Sequence, residues 1–94
     1  MGGYRRGVAH RVLHDDYGVT ATCGERDGDC EVWKYTRTTA DGETLWVPHT
    51  FDRGLAAYPP DTLREICREL RLEENIGSII ARIIALDGWV GRSR

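Results

Sequence analysis

Tyr4, Val8, Ala9, Val12 and Leu13 recur at helical spacing, and the pattern stops at Gly18. This predicts a first helix over residues 4–17, closed by a glycine. From Val19 the period drops to two. Val19, Ala21 and Cys23 alternate with Thr20 and Thr22, which predicts a short strand ending at Gly24. Residues 25–29 are acidic, contain Gly28 and read as a loop. Residues 31–39 and 43–49 are both rich in β-branched and aromatic side chains. Between them, Ala40-Asp41-Gly42 suits a type I turn with Gly42 left-handed and a bulge. In that register Trp33 and Tyr35 share a face with Leu45 and Val47, and Lys34, Thr36, Thr38, Thr44 and Trp46 fill the other. A two-residue Asp-Gly turn would instead bring Trp46 beside Trp33 and Tyr35. The first register separates apolar from polar residues better.

Residues 50–58 read as a loop, and Pro59-Pro60-Asp61 opens a second helix with Leu63, Ile66, Cys67 and Leu70 as its buried stripe. Asn75 is placed to cap a third helix bearing Ile76, Ile79, Ile80, Ile83 and Ile84, which Gly88 ends. The order α-β-β-β-α-α defines an α+β fold: a three-stranded antiparallel sheet with helices packed on one face. With 94 residues, the expectation is a single domain over 1–94.

Composition narrows the function classes. The chain is 40% hydrophobic and 30% charged, which is ordinary globular usage. Arg5 and Arg6 are not followed by an apolar stretch, and residues 76–86 are far shorter than the roughly 20 needed to cross a bilayer. A cytoplasmic protein with no membrane association is expected. The three cysteines, Cys23, Cys30 and Cys67, form an odd set without paired spacing and read as ordinary thiols. Neither a zinc site nor a cofactor is expected. A net charge of −2 argues against simple coating of nucleic acid, whose affinity comes mostly from phosphate neutralisation. That charge is uneven. Residues 1–14 carry Arg5, Arg6 and Arg11 without an acid, whereas residues 15–31 are dominated by carboxylates.

The strand after Gly18, the step Gly28-Asp29-Cys30, the Asp41-Gly42 turn, Val47-Pro48-His49 and the helix opening Pro60-Asp61-Thr62-Leu63 follow one another in a telling order. Over more than half its length the chain thereby resembles the HicA-type mRNA interferase toxins. These are small α-β-β-β-α domains with a double-stranded-RNA-binding-like fold. The resemblance implies an RNA-interacting protein with a cognate, antitoxin-like protein partner. It also implies a catalytic position at the start of the second strand, where that family has histidine and this chain has Cys30. Cleavage through the ribose 2′-hydroxyl needs a base and an acid that work near neutral pH, as imidazole does. A thiol flanked by Asp29 and Glu31 is a poor substitute, because both acids raise its pKa. The expectation is therefore RNA binding with impaired cleavage, and the catalytic candidates are Cys30 and His49.

The binding candidates are Lys34 and Trp46, a cation and an aromatic platform on the open sheet face, together with Arg5, Arg6 and Arg11 on the first helix. Trp46 would be core instead under the alternative register, or if the third helix covered it. His10 and His14 stand four apart, the spacing of two metal ligands, but no third ligand is evident and solvated histidines are expected. The isoleucine face of the third helix is expected to be mostly core, with any excess serving a homodimer through 76–86. The alternative function is a small protein-interaction module, a regulator or inhibitor without enzymatic activity.

Overall fold

The computed structural model describes residues 2–27, 30–52 and 57–91, with side chains for all of these except 25–27, 30–31 and 51–52. The elements are β1 (Gly3–Arg5), α1 (Arg6–Tyr17), β2 (Thr20–Asp27), β3 (Cys30–Thr38), β4 (Thr44–Asp52), β5 (Ala57–Tyr58), α2 (Pro60–Glu69), a 3₁₀ turn (Glu73–Asn75), α3 (Ile76–Ala85) and β6 (Trp89–Val90). The α+β class holds, but the single-sheet layout does not. Among the described residues there are two antiparallel three-stranded sheets, β2-β3-β4 and a small β5-β1-β6.

The large sheet follows its sequence pattern closely. Tyr35 pairs with Val47, Thr36 with Trp46 and Thr38 with Thr44. The Gly42 amide donates to the Thr39 carbonyl at 3.0 Å, and Thr39 N–H donates to the Glu43 carbonyl at 2.8 Å. Gly42 has φ 92°, a left-handed conformation that a Cβ would strain. This is the three-residue turn, so Trp33, Tyr35, Leu45 and Val47 face the helices as expected. The outer strands run longer than the pattern indicates. Residues 50–52, expected as loop, are strand because they pair with 30–32. Gly24 does not end β2. It lies at a register shift between Cys23 and Arg26, where a Cβ would press on the Val32 carbonyl at 2.7 Å.

The small sheet corrects the expected first helix, which starts at Arg6 and not at Tyr4. Tyr4 pairs with Tyr58 on one side and with Trp89 on the other, and the Arg5 amide donates to the Gly88 carbonyl at 2.6 Å. These partners are remote in sequence, so no local periodicity reports them. At the other end of α1, Gly18 takes φ 70° and its amide closes the helix on the His14 carbonyl at 3.0 Å.

One core joins the layers. Ala9, Val12 and Leu13 of α1, Leu63, Ile66 and Cys67 of α2, and Ile79 and Ile83 of α3 are all buried with Tyr35 and Val47. Each large apolar side chain sequestered this way contributes about 1.5–3 kcal/mol before chain entropy is charged against it. Pro60 and Asp61 open α2 as expected. Asn75 stands at the cap position of α3 but makes no side-chain capping bond. The helix ends at Ala85. Asp87 takes φ 62°, and the Gly88 amide donates to the Ile83 carbonyl at 2.8 Å. Gly88 is needed for close approach, since a Cβ there would meet the Ile83 and Val8 side chains at 2.5 and 2.8 Å. The isoleucine face of α3 is largely consumed in the core. Ile76 and Ile80 are part-buried and Ile84 is 52% exposed, which leaves little apolar surface for a homodimer through 76–86. No helix among the described residues is long and apolar enough to cross a membrane.

Candidate functional site

Strand alternation gives the large sheet two chemically different faces. The outer face carries Thr20 and Thr22 of β2, Lys34, Thr36 and Thr38 of β3, and Thr44, Trp46, Pro48 and Thr50 of β4. Trp46 is 59% exposed, and the Lys34 ammonium has no ion-pair partner among the described residues. The outer-face positions 20, 22, 34, 36, 38, 44, 46, 48 and 50 carry no carboxylate; Asp27 and Asp52 fall in the same register, opposite Cys30 at the far end of the sheet. The third helix packs on the other side, against α1, so Trp46 is neither core nor covered.

The inner face holds a polar cluster that sequence reasoning missed. His10 is half-buried, and its Nε2 lies 2.9 Å from the Tyr35 hydroxyl and 2.6 Å from the Tyr58 hydroxyl. The two phenols are also hydrogen-bonded to each other. Trp33 stacks obliquely on the imidazole at 4.8 Å, with the Arg6 guanidinium over the same indole at 5.3 Å. Burial, with the positive charge of Arg6 adding to it, pushes the His10 pKa down to about 4. Burial pushes Tyr35 up to about 12 and Tyr58 higher still. All three are neutral at physiological pH. The expectation of two solvated histidines therefore fails for His10, because its partners arrive from β3 and β5. It holds for His14, which is exposed and 3.1 Å from the Asp15 carboxylate. The one available signal was Tyr35 itself: a phenol on a core face needs a hydrogen-bond partner.

A cleft of about 520 Å³ opens between α1 and β2, lined by Gly7, His10, Arg11, His14, Asp15 and Thr20 among others. Arg11 is exposed and unpaired among the described residues. Arg5 lies at the β1 end and donates from Nε to the Asp87 carbonyl at 3.3 Å. The three N-terminal arginines therefore occupy the helix side of the sheet and are not gathered with Lys34 and Trp46 behind it.

His49 also points inward. It pairs in register with Trp33 and is half-buried near Glu65 and Glu69 of α2. Burial lowers its pKa, and the two glutamates pull it part of the way back. Cys30 begins β3, opposite Asp27 and Asp52, but its side chain lies outside the described residues. No group of three or more potential ligands for a metal ion occurs among the described residues. No known family, curated protein or solved structure matches the chain.

Proposed function

We propose that the chain binds single-stranded RNA on the outer face of β2-β3-β4, with Trp46 as the stacking platform and Lys34 as a phosphate contact. The observation that carries this reading is an exposed indole beside an ammonium without an ion-pair partner among the described residues, with threonines and not carboxylates at the neighbouring positions 20, 22, 36, 38, 44 and 50 of the same face. Bases stack on aromatic side chains regardless of sequence, and hydroxyl-bearing neighbours such as Thr36 and Thr20 can hydrogen-bond sugars and bases. The HicA-type resemblance supports this proposal for binding alone. His49 stands on the opposite face of the sheet from Trp46 and Lys34, so a strand held on the outer face would not reach it.

The test is fluorescence anisotropy of a labelled oligoribonucleotide at low salt. Trp46→Ala should weaken binding roughly ten- to hundredfold, the equivalent of about 1–3 kcal/mol for one stacked base. Lys34→Ala should weaken binding less and reduce the salt slope by about 0.7, the value for one phosphate on a single strand. Absence of binding, or parental binding by both variants, removes this reading.

A second reading is a protein-interaction module with an antitoxin-like partner. Its supporting observation is β6, an edge strand of the small sheet that exposes both Trp89 and Val90.

A further inference from the structure

The cleft between α1 and β2 combines three features that the sheet-face reading does not use. First, the His10 ring is held rigidly by its Nε2 contacts to Tyr35 and Tyr58, at 2.9 and 2.6 Å. With Nε2 assigned as acceptor from the Tyr58 hydroxyl, the neutral ring carries its proton on Nδ1. Among the described residues that nitrogen has no partner, yet no buried side-chain nitrogen or oxygen is left unsatisfied. Nδ1–H therefore meets solvent, and His10 lines the cleft. Second, Arg11 lines the same cleft with its guanidinium unpaired among the described residues. Third, the carboxylate of Asp15, which also lines the cleft, is engaged by His14 Nδ1 at 3.1 Å. Gly7 leaves room: nothing lies within 4 Å of a Cβ built on it.

We infer that the α1/β2 cleft is a phosphate site, in which Arg11 supplies the charge and His10 Nδ1–H a fixed donor. A guanidinium presents several N–H groups to a tetrahedral oxyanion, and a ring locked by two phenols gives up little entropy on binding. The buried tyrosines thus act as positioning residues for a donor they present to solvent. The occupant is a phosphate group, either the terminal phosphate of a nucleotide or a phosphodiester of a strand. The site stands independently of the sheet face, since none of its contacts involves Trp46 or Lys34.

The experiment is an amide and side-chain NMR titration of the full chain, first with inorganic phosphate. A short oligoribonucleotide, with and without a 5′-phosphate, follows. Saturable shifts are expected at Gly7, His10 and Arg11. Arg11→Ala and Gly7→Glu should each weaken phosphate binding at least about tenfold, the latter by placing a carboxylate where the helix has space for it. Trp46→Ala should leave phosphate binding within about twofold, the scale of a contact that is not made. Tighter binding of the 5′-phosphorylated strand identifies a terminal phosphate as occupant. Equal binding of both strands with the same shifts identifies a phosphodiester. Two outcomes overturn the site: phosphate shifts that spread equally to Lys34 and to Arg64, an exposed arginine of α2, or a Gly7→Glu protein that binds phosphate like the parent. Loss of RNA binding in Trp46→Ala, with the cleft variants unaffected, retains the sheet face and discards the cleft.

Discussion

Tyr35 and Trp46 sit on neighbouring strands of one sheet, and their surroundings could hardly differ more. Tyr35 is fully buried and its hydroxyl is shared between His10 and Tyr58. Trp46 is more than half exposed, and Thr36 is its cross-strand neighbour. On the inner face the polar groups satisfy one another, so removing any one leaves another desolvated and unpaired. On the outer face they are satisfied by water, so a ligand can replace that water without breaking the fold. The inner face therefore governs whether the chain folds, and the outer face governs what it can hold.

Substitutions separate these roles, beginning with the largest effect. Tyr35→Ala should destabilise by about 3–5 kcal/mol, the range for deleting a buried aromatic, and should be read by chemical denaturation. A loss below about 1 kcal/mol would mean that the inner face is looser than described. Tyr58→Phe keeps the ring but strips a hydroxyl from the cluster, and should cost about 1–3 kcal/mol.

The next effect is one of pH. A folded-state pKa of about 4 for His10, against an ordinary 6.5, means that the unfolded chain binds the extra proton more readily. Its contribution to stability is complete above the unfolded value and is lost as pH falls from about 6.5 to about 4. His49 is shifted the same way, so the comparison is made against His10→Gln. Thermal unfolding of that variant should fall less steeply between pH 7 and 5 than that of the parent. Parallel curves would mean that His10 is as wet as His14. The smallest effect belongs to the outer face: Trp46→Ala should change stability by no more than about 0.5 kcal/mol, as exposed substitutions do.

Period and turn chemistry made the large sheet and the helices legible. Alternation through Trp33 and Tyr35, a glycine at the left-handed turn position, and paired prolines before Leu63 each report on their own surroundings. Lys34 and Trp46 were legible for the same reason, since a correct register assigns both to the open face. The His10 cluster was not. Its hydroxyl partners lie 25 and 48 residues away, and nothing next to His10 in sequence, between Ala9 and Arg11, reports them. The small sheet was hidden in the same way. Its strands are two or three residues long and become strands only through partners elsewhere in the chain.

The position of β1 sets an order of events during synthesis. β2, β3 and β4 pair with immediate neighbours in sequence, so they can associate as soon as residues 20–52 have emerged from the ribosome. β1 emerges before them but waits for β5 on one side and β6 on the other. Until Trp89 and Val90 appear, Tyr4 has no edge-on aromatic neighbour and the Arg5 amide has no Gly88 carbonyl. The first strand made is thus among the last to be secured. A nascent chain stalled before residue 88 should hold a formed β2-β3-β4 sheet and a loose N-terminus, which would be cut by protease ahead of everything else.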